Sequence, residues 1–172
     1  MSRIYRYDPA SGGHELVFEG TRTAGFTFQA DGGLLLFMDG PSVAILQDGK
    51  LSYVFDGLPG ESGMHFNDAL ADPNGRVFSG TVPDDRSRVA DKVGRLYRLD
   101  TDSSATPVAD GIGISNGMAF TPDGKQIYYT DSYARTIYMF DYDEDSGEIS
   151  NSQVFVKTKP DGGLPDGMAV DA

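Results

Sequence analysis

The 172-residue chain contains no cysteine, which excludes disulfides, thiolate catalysis and zinc–thiolate centres and leaves the redox compartment unspecified. Bases are scarce as well: 14 lysines and arginines stand against 26 acids, a net charge of −12. That imbalance argues against nucleic acid and anionic membrane surfaces as partners, and it tolerates a cation. Most of the acids read simply as solvating surface. No stretch approaches the ~18 consecutive apolar residues of a membrane span. The opening residues, Met1-Ser2-Arg3-Ile4-Tyr5-Arg6-Tyr7, lack the apolar run of a secretory signal. The expectation is a soluble cytoplasmic protein. Also missing are a Gly-x-Ser-x-Gly elbow, a Gly-x-Gly-x-x-Gly turn and a Walker loop, so serine-esterase and nucleotide-binding readings have no support. No segment carries a sustained helical period.

What is present is turn and strand material. Hydrophobic residues make up 39% and charged residues 23%, a globular composition for one domain over 1–172. Asp-Gly and Asn-Gly pairs recur at Asp31-Gly32, Asp39-Gly40, Asp48-Gly49, Asp56-Gly57, Asn74-Gly75, Asp110-Gly111 and Asp123-Gly124. Such pairs supply the positive φ angles of tight hairpin turns. Between them lie strand-length runs: Leu34–Met38, Val77–Gly80, Leu96–Leu99, Ile127–Thr130 and Ile137–Phe140. The fold class is all-β and antiparallel.

The strands repeat in groups. Phe66-Asn67-Asp68-Ala69-Leu70 aligns with Ser115-Asn116-Gly117-Met118-Ala119, with Pro165-Asp166-Gly167-Met168-Ala169, and with Thr23-Ala24-Gly25-Phe26-Thr27. Equivalent positions 24, 67, 116 and 166 lie 43, 49 and 50 residues apart. A period of about 45 residues with four short strands per unit is the pattern of β-propeller blades. Coincidental spacing in a β-sandwich is the competing account, and it leaves the repeat of the first strand unexplained. Arg3–Asp8 matches Thr136–Asp141, late in its unit, so the expectation is an outer half-blade, three whole blades and one inner strand reaching Ala172. The open edges of such an arc invite association. The chain is either a piece of a longer one or half of a homodimer that completes itself, and both remain open.

In a propeller the innermost strands line a central channel, so equivalent residues converge. Asn67, Asn116 and Asp166 would offer two amide oxygens and a carboxylate, a hard oxygen set suited to Ca²⁺, Mg²⁺ or Mn²⁺. Strand-start capping by the same residues is the bland alternative. The stretch Asp141-Tyr142-Asp143-Glu144-Asp145-Ser146-Gly147 fails the EF-hand spacing and reads as a solvated outer hairpin. His14, in a Gly-rich turn, is expected to be exposed and inert.

Six segments in order, His65-Phe66-Asn67-Asp68, Gly75–Thr81, Ile114–Met118, Tyr128–Ser132, Phe140–Asp143 and Leu164–Met168, resemble the motifs of the gluconolactonase/regucalcin (senescence marker protein) family. The resemblance implies a six-bladed β-propeller, present here as an incomplete one, that hydrolyses sugar lactones with a divalent metal (Ca, Mn, Mg or Zn). It implies Asn116 and Asp166 as metal ligands, with Asp166 also the catalytic base. It implies Asn67 as a substrate contact, and Asp85, with Asp84 beside it, as another. His65 stands where animal members carry an arginine that contacts substrate. The family's third ligand, a glutamate in a Gly-Glu-Gly/Ser-Pro motif, has no counterpart, since Glu15 and Glu19 fall in an outer-strand hairpin. A non-catalytic partial propeller, a remnant or an interaction module, is therefore the alternative to a lactonase.

Overall fold

A computed structural model describes residues 1–171. Fourteen strands form one two-stranded and three four-stranded antiparallel sheets. The outer pair comes first: β1 (Ser2–Tyr7) with β2 (His14–Gly20). Then follow β3 (Thr23–Phe28) to β4 (Leu34–Met38), β5 (Ser42–Gln47) and β6 (Lys50–Phe55). The second full sheet runs β7 (Met64–Ala71), β8 (Val77–Pro83), β9 (Gly94–Leu99) and β10 (Ala105–Ile112), with a short 3₁₀ turn at Arg86–Asp91. The third runs β11 (Ser115–Phe120), β12 (Gln126–Asp131), β13 (Thr136–Tyr142) and β14 (Ile149–Lys157). In each full sheet the strands lie in chain order, so every connection is a hairpin. At Asp48-Gly49, φ is 50° and 74°, the two positive angles of a type I′ turn between β5 and β6.

The unbroken apolar run of β4 has a simple cause: the middle strands are buried on both faces. Leu36 and Met38 pack with Phe18 of β2, while Leu35 and Phe37 pack on the other side with Phe66 and Tyr97. Residues one apart point to opposite faces, so β4 serves two cores at once. The same division places Val77 in the core between the first two full sheets and Phe78 in the next one, with Ile127 and Tyr129. Phe66 meets Phe37 edge-on at 5.3 Å and Tyr97 at 6.4 Å between ring centres, the favoured arrangement of aromatic pairs. The outermost strand of the third sheet has no such cover: Val154, Phe155 and Val156 of β14 are exposed.

The expected outer half-blade and three whole blades are present as sheets. The expected final inner strand is not a strand: residues 164–171 form no ladder and lie beside β11, tied by the Gly117 N–H to the Asp166 carbonyl at 3.2 Å. No described strand folds back to pair with its other side. The Asp143–Gly147 loop does expose its acidic side chains as expected, but its backbone has a second task. The carbonyls of Glu144 and Asp145 accept from Arg76 of the preceding sheet. No helix among the described residues is long and apolar enough to cross a membrane.

Candidate functional site

The inner strands β3, β7 and β11 lie side by side, and each breaks register at its equivalent position. Shifts fall between Thr23 and Gly25, between Phe66 and Ala69, and between Asn116 and Met118. A bulge turns a side chain that the pleat would otherwise aim elsewhere, and these bulges contain or adjoin Ala24, Asn67 and Asn116. Glycine sets the spacing between neighbours. A Cβ on Gly25 would stand 2.8 Å from the Asn67 carbonyl oxygen, and one on Gly117 would stand 2.5 Å from that of Asp166. The segment 166–168 therefore meets β11 as Asn67–Ala69 meets β3. Gly117→Ala is expected to push this segment away from β11 at a cost of about 1–3 kcal/mol. Denaturant titration, together with cation affinity, would measure both consequences.

His65, Asn67, Arg86, Asn116, Ser132 and Asp166 line one cavity of about 300 Å³. Four of the five residues singled out in the sequence thus come together. The fifth, Asp85, does not line it. Its carboxylate caps the 3₁₀ turn, accepting from the Ser87 N–H at 2.9 Å and hydroxyl at 2.7 Å. The hydrogen bond from the Ser87 hydroxyl holds the Asp85 carboxyl below the usual range. Its neighbour Asp84 is the one that reaches inward, 2.7 Å from Nδ1 of His65. Larger grooves flank β1–β2, walled by the exposed Arg6–Glu15 ion pair, and gather none of these residues. Glu15 and Glu19 are paired with Arg6 and Arg3 there, and His14 is exposed, edge-on to Tyr5.

The hydrogen bonds fix which amide atoms face the cavity. Asn67 Nδ2 donates to the Ser115 carbonyl at 2.8 Å, so its Oδ1 remains free. Ser132 spends its proton on the Pro165 carbonyl at 2.5 Å, so its Oγ accepts from Asn116 Nδ2 at 3.0 Å. Asn116 Oδ1 is left free as well. Two amide oxygens and the exposed Asp166 carboxylate then make an all-oxygen donor set, which fits a hard divalent cation. Among the described residues no three His, Cys, Asp or Glu side chains cluster as a metal cage, so the set depends on its amides.

Sequence reasoning passed over Asp68. The residues after the other equivalent positions are Gly25, Gly117 and Gly167, and the single exception in that pattern is a carboxylate. Asp68 Oδ2 lies 3.9 Å from where a Cβ on Gly167 would stand. Burial, and then the charge of Asp166, push its carboxyl above the usual range. Asp68 does not itself line the cavity that gathers Asn67, Asn116 and Asp166.

Consecutive hairpin sheets with their inner strands around an oxygen-lined cavity place the chain among propeller-type all-β proteins. Residues 1–172 match the family model described as SMP-30/Gluconolactonase/LRE-like region, and the chain belongs to that family. It is 45% identical to a pentonolactonase of Haloferax volcanii, over 99% of this chain and 56% of that protein. It is 31% identical to a regucalcin of Xenopus laevis, over 99% of this chain and 58% of that one. A solved calcium-binding protein, regucalcin, from Agrobacterium tumefaciens superposes with a TM-score of 0.84 at 20% identity, covering 96% of this chain and 55% of that structure, which supports the fold alone. The chain spans a little over half the length of these relatives.

Proposed function

We propose that the chain carries the greater part of the active centre of a metal-dependent sugar-lactone hydrolase built on a six-bladed propeller. The observation that carries this reading is the pairing of Asn67 and Asn116: both amide nitrogens are bound to the protein, which leaves both oxygens without a protein partner in residues that line the cavity with Asp166. Asn116 Oδ1 and the Asp166 carboxylate would hold the ion. A bound divalent cation would polarise the lactone carbonyl and stabilise negative charge on its oxygen. The Asp166 carboxylate accepts a proton from the attacking water. Asn67 Oδ1 binds sugar hydroxyls, His65 lines the same cavity, and Arg86 stands at the exposed mouth. No Gly-Glu-Gly/Ser-Pro motif occurs in the chain, so Asn116 and Asp166, with the Asn67 oxygen beside them, offer the ion a single carboxylate and hold it weakly.

The test is hydrolysis of aldonolactones with Ca²⁺, Mn²⁺, Mg²⁺ or Zn²⁺ added one at a time. Turnover that a chelator abolishes and one of these ions restores supports the reading; no turnover with any of them sinks it. The uncovered outermost strand β14, with Val154, Phe155 and Val156 exposed, favours a second reading, an association edge that takes another copy of the chain. Sedimentation separates the two: a dimer that alone binds the cation joins both readings, and a dimer without cation binding leaves only the interaction module.

A further inference from the structure

We propose that His65, oriented by Asp84, is the acid that protonates the departing ring oxygen of the lactone, a role that rests on the hydrolase reading above. Sugar lactones open to an alkoxide, a poor leaving group. Attack by water needs a base and departure needs an acid. Asp166 serves the first step, and the same cavity brings a second proton carrier from a different element. His65 is 2% exposed and lies on β7, paired in register with Val82 of β8. That register puts Asp84, two residues further on, opposite Gly63 and on the same face as His65, diagonal to the imidazole that its carboxylate reaches. The Asp84 N–H donates to the Gly63 carbonyl at 2.9 Å, which fixes the backbone where the carboxylate turns back.

The tautomer follows from the partner. A carboxylate only accepts, so Nδ1 of His65 carries the proton in the 2.7 Å contact with Asp84. Nε2 hydrogen-bonds to no described residue, and the ring forms part of the cavity lining. Nε2 is therefore the nitrogen that exchanges a proton with what enters. A ring held at one nitrogen by a carboxylate and open at the other is the arrangement that proton-transfer histidines use. The charged groups around it are Asp84 from the end of β8, in contact with Nδ1, and Arg86 from the 3₁₀ turn and Asp166 from the segment beside β11, which line the same cavity. Asp39, from the preceding sheet, meets His65 through a backbone bridge.

The step balances. Water adds its oxygen to the carbonyl carbon and gives a proton to Asp166. As the ring C–O bond breaks, its electron pair passes to the ring oxygen, which takes the proton from Nε2 of the imidazolium. His65 is left neutral with Nδ1–H still on Asp84. Asp166 returns its proton to solvent and His65 regains one. The sum is lactone plus water giving the open hydroxy acid.

His65→Gln keeps the volume and removes the transferable proton. On an aldonolactone, with the activating cation saturating, it is expected to lower kcat about 100-fold with KM little changed. On dihydrocoumarin, whose phenolate leaves without help, the same variant should match the wild type closely. Asp84→Asn, at an exposed carboxylate, should show a smaller loss with the same split between the substrates, and both variants should melt with the wild type. A rise in KM alone would make His65 a hydroxyl-binding residue and overturn the proposal. Equal losses on both lactones would overturn it as well, because a general defect does not read the leaving group. A wild type inert on every lactone overturns the hydrolase reading first, and the proposal falls with it.

Discussion

Asp166→Asn is expected to lower lactone turnover by about 10²–10⁴-fold while leaving the fold intact. The variant keeps the shape and one oxygen donor of the carboxylate. It loses the negative charge that holds a cation and the group that accepts a proton from water. Asp166 is exposed in a segment outside any strand, and its backbone carbonyl, rather than its side chain, ties that segment to Gly117. Substitutions at such surface positions cost no more than about 0.5 kcal/mol, so an unchanged denaturation midpoint is part of the expected result. Calorimetry with Ca²⁺ and Mn²⁺ divides the two losses. A variant that binds the ion yet turns over no lactone isolates the base; one that binds no ion places the larger loss on coordination. Wild-type turnover in a variant that still binds metal would remove Asp166 from the mechanism and, with it, the reading of the cavity as a hydrolytic site.

The placement of Asp166 was legible because the repeat itself carries it. Positions 24, 67, 116 and 166 recur at a nearly constant interval, and a periodic fold converts equal intervals into adjacency. The strands were legible for a local reason: a positive-φ pair such as Asp48-Gly49 commits the chain to a hairpin whatever surrounds it. Which of two neighbouring carboxylates points inward was not legible. Asp84 and Asp85 differ only through contacts made at a distance, the bond from Asp84 N–H to Gly63 and the capping of Ser87 by Asp85. Asp68 left a trace, a carboxylate in a row of glycines, but its effect depends on the close approach of Gly167 from the segment beside β11. The grip of Arg76 on the Glu144 and Asp145 carbonyls spans almost 70 residues and uses backbone atoms, which side-chain pattern does not encode.

That grip underlies the largest stability effect. Asp72, just past β7, accepts from Arg76 Nε at 2.5 Å, from the Arg76 N–H at 2.8 Å and from the Tyr142 hydroxyl at 2.7 Å. Both members of the ion pair are buried, and Tyr142 belongs to the next sheet. Asp72→Ala leaves the guanidinium buried without its counter-ion, and a loss of about 3–5 kcal/mol in denaturant unfolding is expected. Replacing both partners, Asp72→Leu with Arg76→Met, should recover most of it, since an apolar pair of similar volume carries no stranded charge. If the single and double variants were equally destabilised, packing rather than charge would be the cause. The pH dependence has a definite sign on each side. Burial works to raise the Asp72 carboxyl, but the hydrogen bonds from Tyr142 and Arg76 outweigh it and hold the group below the usual range. Its stabilisation is therefore present above the unfolded value of about 3.9 and lost as pH falls through the lower folded one. Burial, and then Asp72, push the Tyr142 hydroxyl up to about 12. Its share is full below the unfolded value of about 10 and disappears as pH rises through the folded value. Wild-type stability should thus fall at both ends, and Asp72→Ala should flatten the acid side most. The two sheets joined here are the ones whose inner strands carry Asn67 and Asn116, so the same variant should also weaken cation binding at the cavity without touching a residue that lines it.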